Sequence, residues 1–313
     1  MTLSRPAATS AAMADTSRTL PDTSLITSLG DIADGYDAIL CDVWGVIHNG
    51  KVPHLKACAA LKRFRETRGP VVLVSNSPRP VEGIPPQLAG IGVPEDAWDA
   101  IVTSGDSTRV MVKEGNFGRR CFHLGPDRDL TLFDGMDVVR SGDPEAEADF
   151  IICTGPWDDE TETAEDYRKL FEELVPRGMP MICANPDLVV ERGPKLITCA
   201  GSLAELYEEL GGTALYAGKP HAPIYRLARE MLATLGVRRE AGKWERVLFV
   251  GDGLPTDIPG ARDQGMDALF ITSGIHAAEF GDDADNPDET ALKTTLAHRE
   301  LSPRYAISRL SWT

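Results

Sequence analysis

The stretch Tyr36–Gly50 reads YDAILCDVWGVIHNG, an apolar run that ends on an acid and then breaks into a glycine-punctuated loop. Ala38, Ile39, Leu40 and Cys41 show no apolar-polar alternation, which is how a strand buried on both faces of a parallel sheet reads. Asp42 therefore falls at the carboxyl end of that strand. In open α/β sheets this edge is where ligands bind.

Outward from this stretch, apolar runs alternate with amphipathic segments, the signature of stacked βα units. A helix through Leu55, Ala59, Leu61 and Phe64 leads to a second buried run at Pro70–Ser75, PVVLVS. Further strands are expected at Ala100–Thr103, Arg120–Leu124, Met136–Val139, Asp149–Cys153 and Pro180–Ala184. Thr163–Leu174 has helical spacing at Tyr167, Leu170, Phe171 and Leu174, with Thr163 and Asp166 set as a capping box. Ser202 and Glu205 are expected to repeat that device at the head of Ser202–Leu210. In the last third, strands are expected at Ala214–Ala217, Arg246–Val250 and Ala268–Thr272, and helices at Ile224–Leu235 and Asp257–Gln264. An acidic loop after Phe280 then leads to a final helix.

At 313 residues the chain has room for two domains. Its 26% charged and 42% hydrophobic residues are ordinary globular composition. A formal net charge of -16 argues against non-specific nucleic-acid or anionic-membrane binding, both of which need a basic surface. Any anionic substrate must then meet a locally positive site. No run approaches the roughly 20 apolar residues of a membrane span, and the N-terminus lacks the apolar core of a secretory signal, so the chain is expected to be soluble and cytoplasmic. Residues 1–20, rich in Ser, Thr and Ala, read as a mobile extension. The 6 cysteines have no C-x-x-C spacing and sit mostly in apolar runs, where a reduced thiol is a small hydrophobe.

Four strand ends carry unusual polar residues: Asp42 in CDVWGV, Ser75 and Asn76 in VLVSNSPRP, Lys219 in AGKPH, and Asp252 with Asp257 in FVGDGLPTD. Singly each is weak, because a strand-end Ser is usually a helix cap and Gly-Lys-Pro usually a turn. In this order they resemble the haloacid dehalogenase-like hydrolase superfamily, and more closely its subclass IIA, over roughly residues 36–276. Asn76 and Lys219 lie 143 positions apart, far more than one βα unit needs. Members of the subclass place an α/β cap domain in that interval, and NPD at Asn185–Asp187 resembles its signature near the return to the core.

The resemblance implies a fold, a site and a cofactor. The fold is a doubly wound, Rossmann-like parallel sheet core over residues 21–82 and 190–313, with an α/β cap over 83–189. It implies a nucleophile at Asp42, assisted by Lys219 and Ser75. A Mg²⁺ ion would be held by Asp42, the Trp44 backbone carbonyl, Asp252 and Asp257, with Asp257 suited to an orienting or water-mediated role. A hard oxygen-ligand cation needs only one or two carboxylates. Substrate contacts are expected from Trp44, Gly45, Asn76, Ser77, Asp158 and His221, the backbone N–H groups of the Gly45 turn donating to phosphoryl oxygens. The substrate would be a small phosphorylated metabolite, hydrolysed through an aspartyl-phosphate, and the subclass leaves a homodimer open.

One position departs from the pattern. Phosphatases of the superfamily read Asp-x-Asp, the second acid protonating the leaving oxygen, and here it is Trp44. General acid-base assistance is worth about 10² to 10⁴-fold. Three outcomes stay open: phosphate hydrolysis with good leaving groups or with an acid recruited from His48, Asp158 or Asp159; other Asp-nucleophile chemistry such as dehalogenation; or binding of a phosphorylated ligand without turnover. Arg79 reads first as a surface residue and second, as the only nearby fork-shaped donor, as a phosphate contact, and His54 reads as a helix-start residue. Gly-Asp-Gly-Leu-Pro-Thr-Asp lacks G-x-G-x-x-G, which excludes a dinucleotide-binding reading.

Overall fold

The apolar runs pair into two parallel sheets and one hairpin in the computed structural model, which describes residues 22–193, 195–237, 244 and 246–313. The extension expected over residues 1–20 lies outside these. The first part of the chain forms β1 (Ser24–Leu25), β2 (Ala38–Cys41), α1 (Leu55–Thr67), β3 (Val71–Ser75), α2 (Ile84–Ile91), β4 (Ala100–Thr103) and α3 (Ser104–Glu114). Next come β5 (Arg120–Leu124), β6 (Val139–Ser141), β7 (Phe150–Cys153), α4 (Arg168–Leu174) and β8 (Pro180–Cys183). A hairpin of β9 (Val189–Arg192) and β10 (Lys195–Thr198) precedes α5 (Ala200–Glu209) and β11 (Thr213–Tyr216). The chain then returns through α6 (Ala222–Thr234), β12 (Val247–Gly251), α7 (Asp257–Asp263), β13 (Asp267–Ile271), α8 (Glu289–His298) and β14 (Tyr305–Ile307).

The core sheet has the order β1-β14-β13-β12-β2-β3-β4, with its strand pairs parallel. Because side chains alternate along a strand, β2 feeds two hydrophobic layers. Ile39 and Cys41 pack with Leu61 and Phe64 of α1, whereas Ala38 and Leu40 pack with Tyr225 and Ala228 of α6. Burial on both faces explains the unbroken apolar run. Strand order leaves β2 in opposite directions, toward β3 on one side and β12 on the other, so the crevice at their carboxyl ends is the topological switch point. Val250 pairs with Cys41 there, which sets Asp42 and Asp252 side by side.

The second sheet, β11-β8-β7-β5-β6, is also parallel and has its own switch point between β5 and β7. Sheet membership moves the expected cap limits. β4 lies in the core sheet beside β3, so the segment just after residue 83 belongs to the core. β11 pairs with β8, so residues 190–216 go with the cap rather than the core. The connection that looks like one long insertion thus begins after α3 and ends at Ala217. Apolar periodicity cannot assign a strand to one of two parallel sheets.

Local expectations differ in smaller ways. The Thr163–Asp166 capping box is formed, but it caps a 3-10 turn, Ala164–Tyr167, that precedes α4. No capping box forms at Ser202, because α5 begins at Ala200 and the Ser202 hydroxyl donates to Leu188 O at 2.8 Å. β6 falls at Val139–Ser141 instead of Met136–Val139. Among the described residues no helix is long and apolar enough to cross a membrane. Leu73, fully buried on β3, carries a testable consequence: Leu73→Ala should cost about 2 to 5 kcal/mol in urea unfolding, and a loss under about 1 kcal/mol would mean that this strand is not closely packed.

Candidate active site

Lys219 follows β11 and is buried, 2% exposed. Its Nζ donates to Asp42 Oδ1 at 2.5 Å and to Asp257 Oδ1 at 2.8 Å. The backbone at Lys219 is fixed by Asn76: Lys219 N donates to Asn76 Oδ1 at 2.7 Å, and Asn76 Nδ2 donates back to Lys219 O at 3.2 Å. Asn76 Nδ2 also donates to Asp187 Oδ1 at 2.9 Å. A Cβ at residue 218 would lie 2.4 Å from Asn76 Oδ1, so Gly218 is what lets this clamp close.

Asp257 has both oxygens engaged, Oδ1 with Lys219 and Oδ2 accepting from Gly253 N at 2.9 Å. Asp252 accepts from Ile275 N at 2.9 Å through Oδ2. Gly45 has φ +77°, and a Cβ there would come within 1.9 Å of Asp252 Oδ2; one at Gly274 would come within 2.0 Å. Glycine is therefore required on both sides of that carboxylate. Gly45 N donates to His48 O at 2.9 Å, which closes the turn, and the missing side chain of Gly45 leaves room for Asp252. Ser75, also buried, accepts from Ser77 N at 3.1 Å.

Charge in this crevice is unbalanced. Asp42, Asp252 and Asp257 are all buried, and one oxygen from each lies within 4.8 Å of the others. Burial, with the facing Asp257 carboxylate second, raises Asp42 above the usual carboxylate range against the pull of Lys219. The same causes push Asp252 up to about 7. Burial alone would lower Lys219, but the carboxylates of Asp257 and Asp42 outweigh it and keep the ammonium charged. One ammonium against three buried carboxylates leaves a site that favours a divalent cation, and an all-oxygen donor set suits a hard one. Asp42 and Asp252 are the carboxylates placed to hold it directly. Asp257, with both oxygens spoken for, fits the orienting role.

Trp44 is half-buried and packs edge-on to the His48 ring, with centroids 5.0 Å apart at 72°. A Cβ at Gly50 would meet its ring at 2.5 Å. Asp42, Trp44 and Asp187 border two cavities, one of about 110 Å³ and one of about 540 Å³, each lined by residues of both sheets' segments. Ser75, Asn76 and Ser77 line the smaller; Gly45, Asp252 and His221 line the larger. His221 is exposed and stacks on Tyr216, with centroids 4.5 Å apart at 9°.

Asp158 does not reach either cavity: it is exposed and closes its own turn, accepting from Glu160 N at 3.0 Å and Thr161 Oγ1 at 2.9 Å. Its neighbour Asp159 lines the smaller cavity instead. It is ion-paired with Arg128 and Arg192; burial opposes ionisation, but the two guanidiniums hold its carboxyl below the usual range. It is therefore a carboxylate and no acid. His48 lines neither cavity, and burial, followed by the charge of His54, lowers it to about 4, so it is neutral at neutral pH. Sequence reasoning passed over Arg128 and Arg192, which lie in a 3-10 helix, Asp127–Phe133, and in the hairpin, with no motif around them. Arg79, read first as a surface residue, also lines the smaller cavity.

The Asp252 carboxyl sets a pH test. Its pKa in the folded chain, about 7, is above that of an unfolded aspartate, so the native state holds a proton that the unfolded state lacks from about pH 4 to 7. The stability this group contributes is full below about pH 4 and is lost as pH rises through 7. A cation binds the deprotonated form. Mg²⁺ should therefore raise the melting temperature more at about pH 8 than at about pH 5, and Asp252→Asn should remove that difference; an equal rise at both pH values would show that Asp252 does not hold the ion.

Comparison with known proteins agrees with this geometry. Residues 39–139 match a family model described as haloacid dehalogenase-like hydrolase, and residues 216–296 match one described as HAD-hydrolase-like. A solved hydrolase of the haloacid dehalogenase-like family from Brucella suis 1330 is 46% identical, with a TM-score of 0.79 over 91% of this chain and 100% of that one. A D-glycerol 3-phosphate phosphatase from Mycobacterium tuberculosis is 27% identical over 254 residues, which span 79% of this chain and 66% of that protein's length. A structure of glycerol phosphate phosphatase from M. tuberculosis in complex with magnesium is 21% identical, with a TM-score of 0.63 over 88% of this chain and 75% of that one.

Proposed function

The chain belongs to the haloacid dehalogenase-like hydrolases, and from that membership we propose that it is a Mg²⁺-dependent phosphatase of small phosphate monoesters, acting in the cytoplasm through Asp42. The observation that carries this reading is the contact of Asp42 with the buried Lys219 ammonium beside two further buried carboxylates. Its phosphatase relative and the magnesium in the M. tuberculosis neighbour support the substrate class and the cation. The 6 cysteines, all free and buried, suit a reducing compartment.

In this reading Asp42 attacks phosphorus, the bond to the leaving oxygen breaks, and water then cleaves the aspartyl-phosphate to return Asp42 and inorganic phosphate. Lys219 offsets the charge of the nucleophile and of the phosphoryl group, so two anions can approach one another in a water-poor crevice. The Ser75 hydroxyl, whose oxygen accepts from Ser77 N, would donate its proton to a phosphoryl oxygen. Asn76 holds the Lys219 backbone, and through it the ammonium, in line with Asp42. When bound, Mg²⁺ would neutralise part of the phosphoryl charge, held by Asp42, Asp252 and the Trp44 carbonyl, with Asp257 orienting the set.

Trp44 has no proton to give a leaving oxygen. Esters whose leaving groups depart as stable anions should therefore react best. The same residue favours a second reading, binding of a phosphorylated ligand with little turnover. Two variants separate the readings. Asp42→Asn should leave the fold intact and lower p-nitrophenyl phosphate turnover at least 10³-fold, about 4 kcal/mol of transition-state stabilisation; retained turnover would remove Asp42 from the reaction. Trp44→Asp should raise alkyl-phosphate hydrolysis about 10²-fold or more, and an unchanged rate would mean that the missing acid is not what limits it. Thermal stabilisation by phosphate esters with no turnover of any would support the binding reading.

A further inference from the structure

The smaller cavity has chemically different ends. Asp42 and Ser75, at the ends of core strands, stand at one together with Asp187, which follows β8 of the second sheet and accepts from Asn76. The other is walled by three guanidinium groups, those of Arg79, Arg128 and Arg192, and by the carboxylates of Asp129 and Asp159. Those five side chains give a formal charge of +1 in a chain whose net charge is -16. The arginines come from three separate places: the loop after β3, the connection after β5 and strand β9. The connection after β5 and the loop after β7, which carries Asp159, flank the second sheet's own switch point, so two ligand-binding strand edges face each other across this cavity.

Asp159, 7% exposed, sits between two of the arginines. Arg192 Nη2 donates to it at 2.9 Å and Arg128 Nη1 at 3.3 Å. Arg79 Nε reaches Asp129 Oδ1 at 3.4 Å. Arg128 also donates through Nη2 to the second oxygen of Asp159, Arg192 Nη1 donates to Glu160 Oε1 at 2.9 Å, and Arg79 Nη1 donates to Gln87 Oε1 at 3.2 Å. A guanidinium has five N–H donors, so each still keeps donors for a further acceptor. The arginines remain 32% to 42% exposed as they line the cavity. Phosphate does not need them, because Lys219 and the cation site already meet it. A planar fork of donors matches a second carboxylate better than a hydroxyl.

We propose that this arginine wall binds a carboxylate carried by the leaving group, so that the preferred substrates are phosphate monoesters of short hydroxy acids. Of the two cavities that border Asp42 this one is the smaller, about 110 Å³ against about 540 Å³, so a leaving group that extends toward the arginines is a short chain rather than a nucleoside. This specificity rests on the phosphatase reading of Asp42, and the experiment separates the two.

With Mg²⁺, kcat/KM is measured for 3-phosphoglycerate and glycerol 3-phosphate, which have the same carbon skeleton and differ by a carboxylate against a hydroxymethyl group. The carboxylate ester should be preferred at least tenfold, mainly through KM, and Arg128→Gln with Arg192→Gln should bring the ratio near one. Because the ratio compares two substrates on one preparation, partial misfolding does not alter it. Equal turnover of the two esters, preference for the neutral one, or a ratio that the variants leave unchanged overturns the proposal while leaving the phosphatase reading in place. If neither ester is hydrolysed, the phosphatase reading fails; calorimetry with the same two esters and Mg²⁺ then decides the wall's role, tenfold tighter binding of the carboxylate ester supporting it and equal affinity overturning it.

Discussion

A single buried ammonium holds the site together. Lys219 lies between Asp42 and Asp257 with almost no access to water. Burying these charges is costly, and only close geometry with further hydrogen bonds offsets that cost. Here the geometry is supplied from three directions. Asn76 grips the Lys219 backbone on both sides, Gly253 N ties down the second oxygen of Asp257, and Gly218 leaves the room that the grip needs. The arrangement remains one or more positive charges short, and that shortfall is itself functional, because it favours a cation, and the cation together with Lys219 then offsets the charge of a phosphate dianion.

Sheet topology decides who meets whom. Strand order departs from β2 in both directions, and the acids that follow β2 and β12 meet across the gap that results. The inserted second sheet repeats the pattern, and its switch point faces the first. Trp44 lines both cavities beside Asp42, packed on His48 and Gly50, and so a residue that cannot transfer a proton borders the space open to a substrate. The bulk of the indole shapes the space, whereas the chemistry around it is left to Asp42, Lys219 and the cation.

Much of this was legible before any coordinates. The unbroken apolar run at Ala38–Cys41 identifies a central parallel strand because only a strand covered on both faces tolerates it, and the acid after it follows from where such sheets bind ligands. The polar residues at the other strand ends, Ser75, Asn76, Lys219, Asp252 and Asp257, were legible as a set and the structure brings them together. The sequence pattern was also enough to foresee the Thr163–Asp166 box, since capping is a contact between near neighbours. It was misleading at Ser202, where Leu188, fourteen residues earlier, competes for the hydroxyl.

What the sequence by itself determined, then, is the class of fold and the identity of the strand-end residues, because both depend on local periodicity and on which side chains can follow a buried strand. Tertiary structure alone decided three things. It assigned β4 to the core and β11 to the cap, since two parallel sheets built from the same βα units have the same local pattern. It chose Asp159 over Asp158, because which of two adjacent acids turns inward depends on arginines that lie 31 and 33 residues away. And it gathered Arg79, Arg128 and Arg192 onto one wall, a convergence of separate segments that carries no periodicity and leaves no trace along the chain.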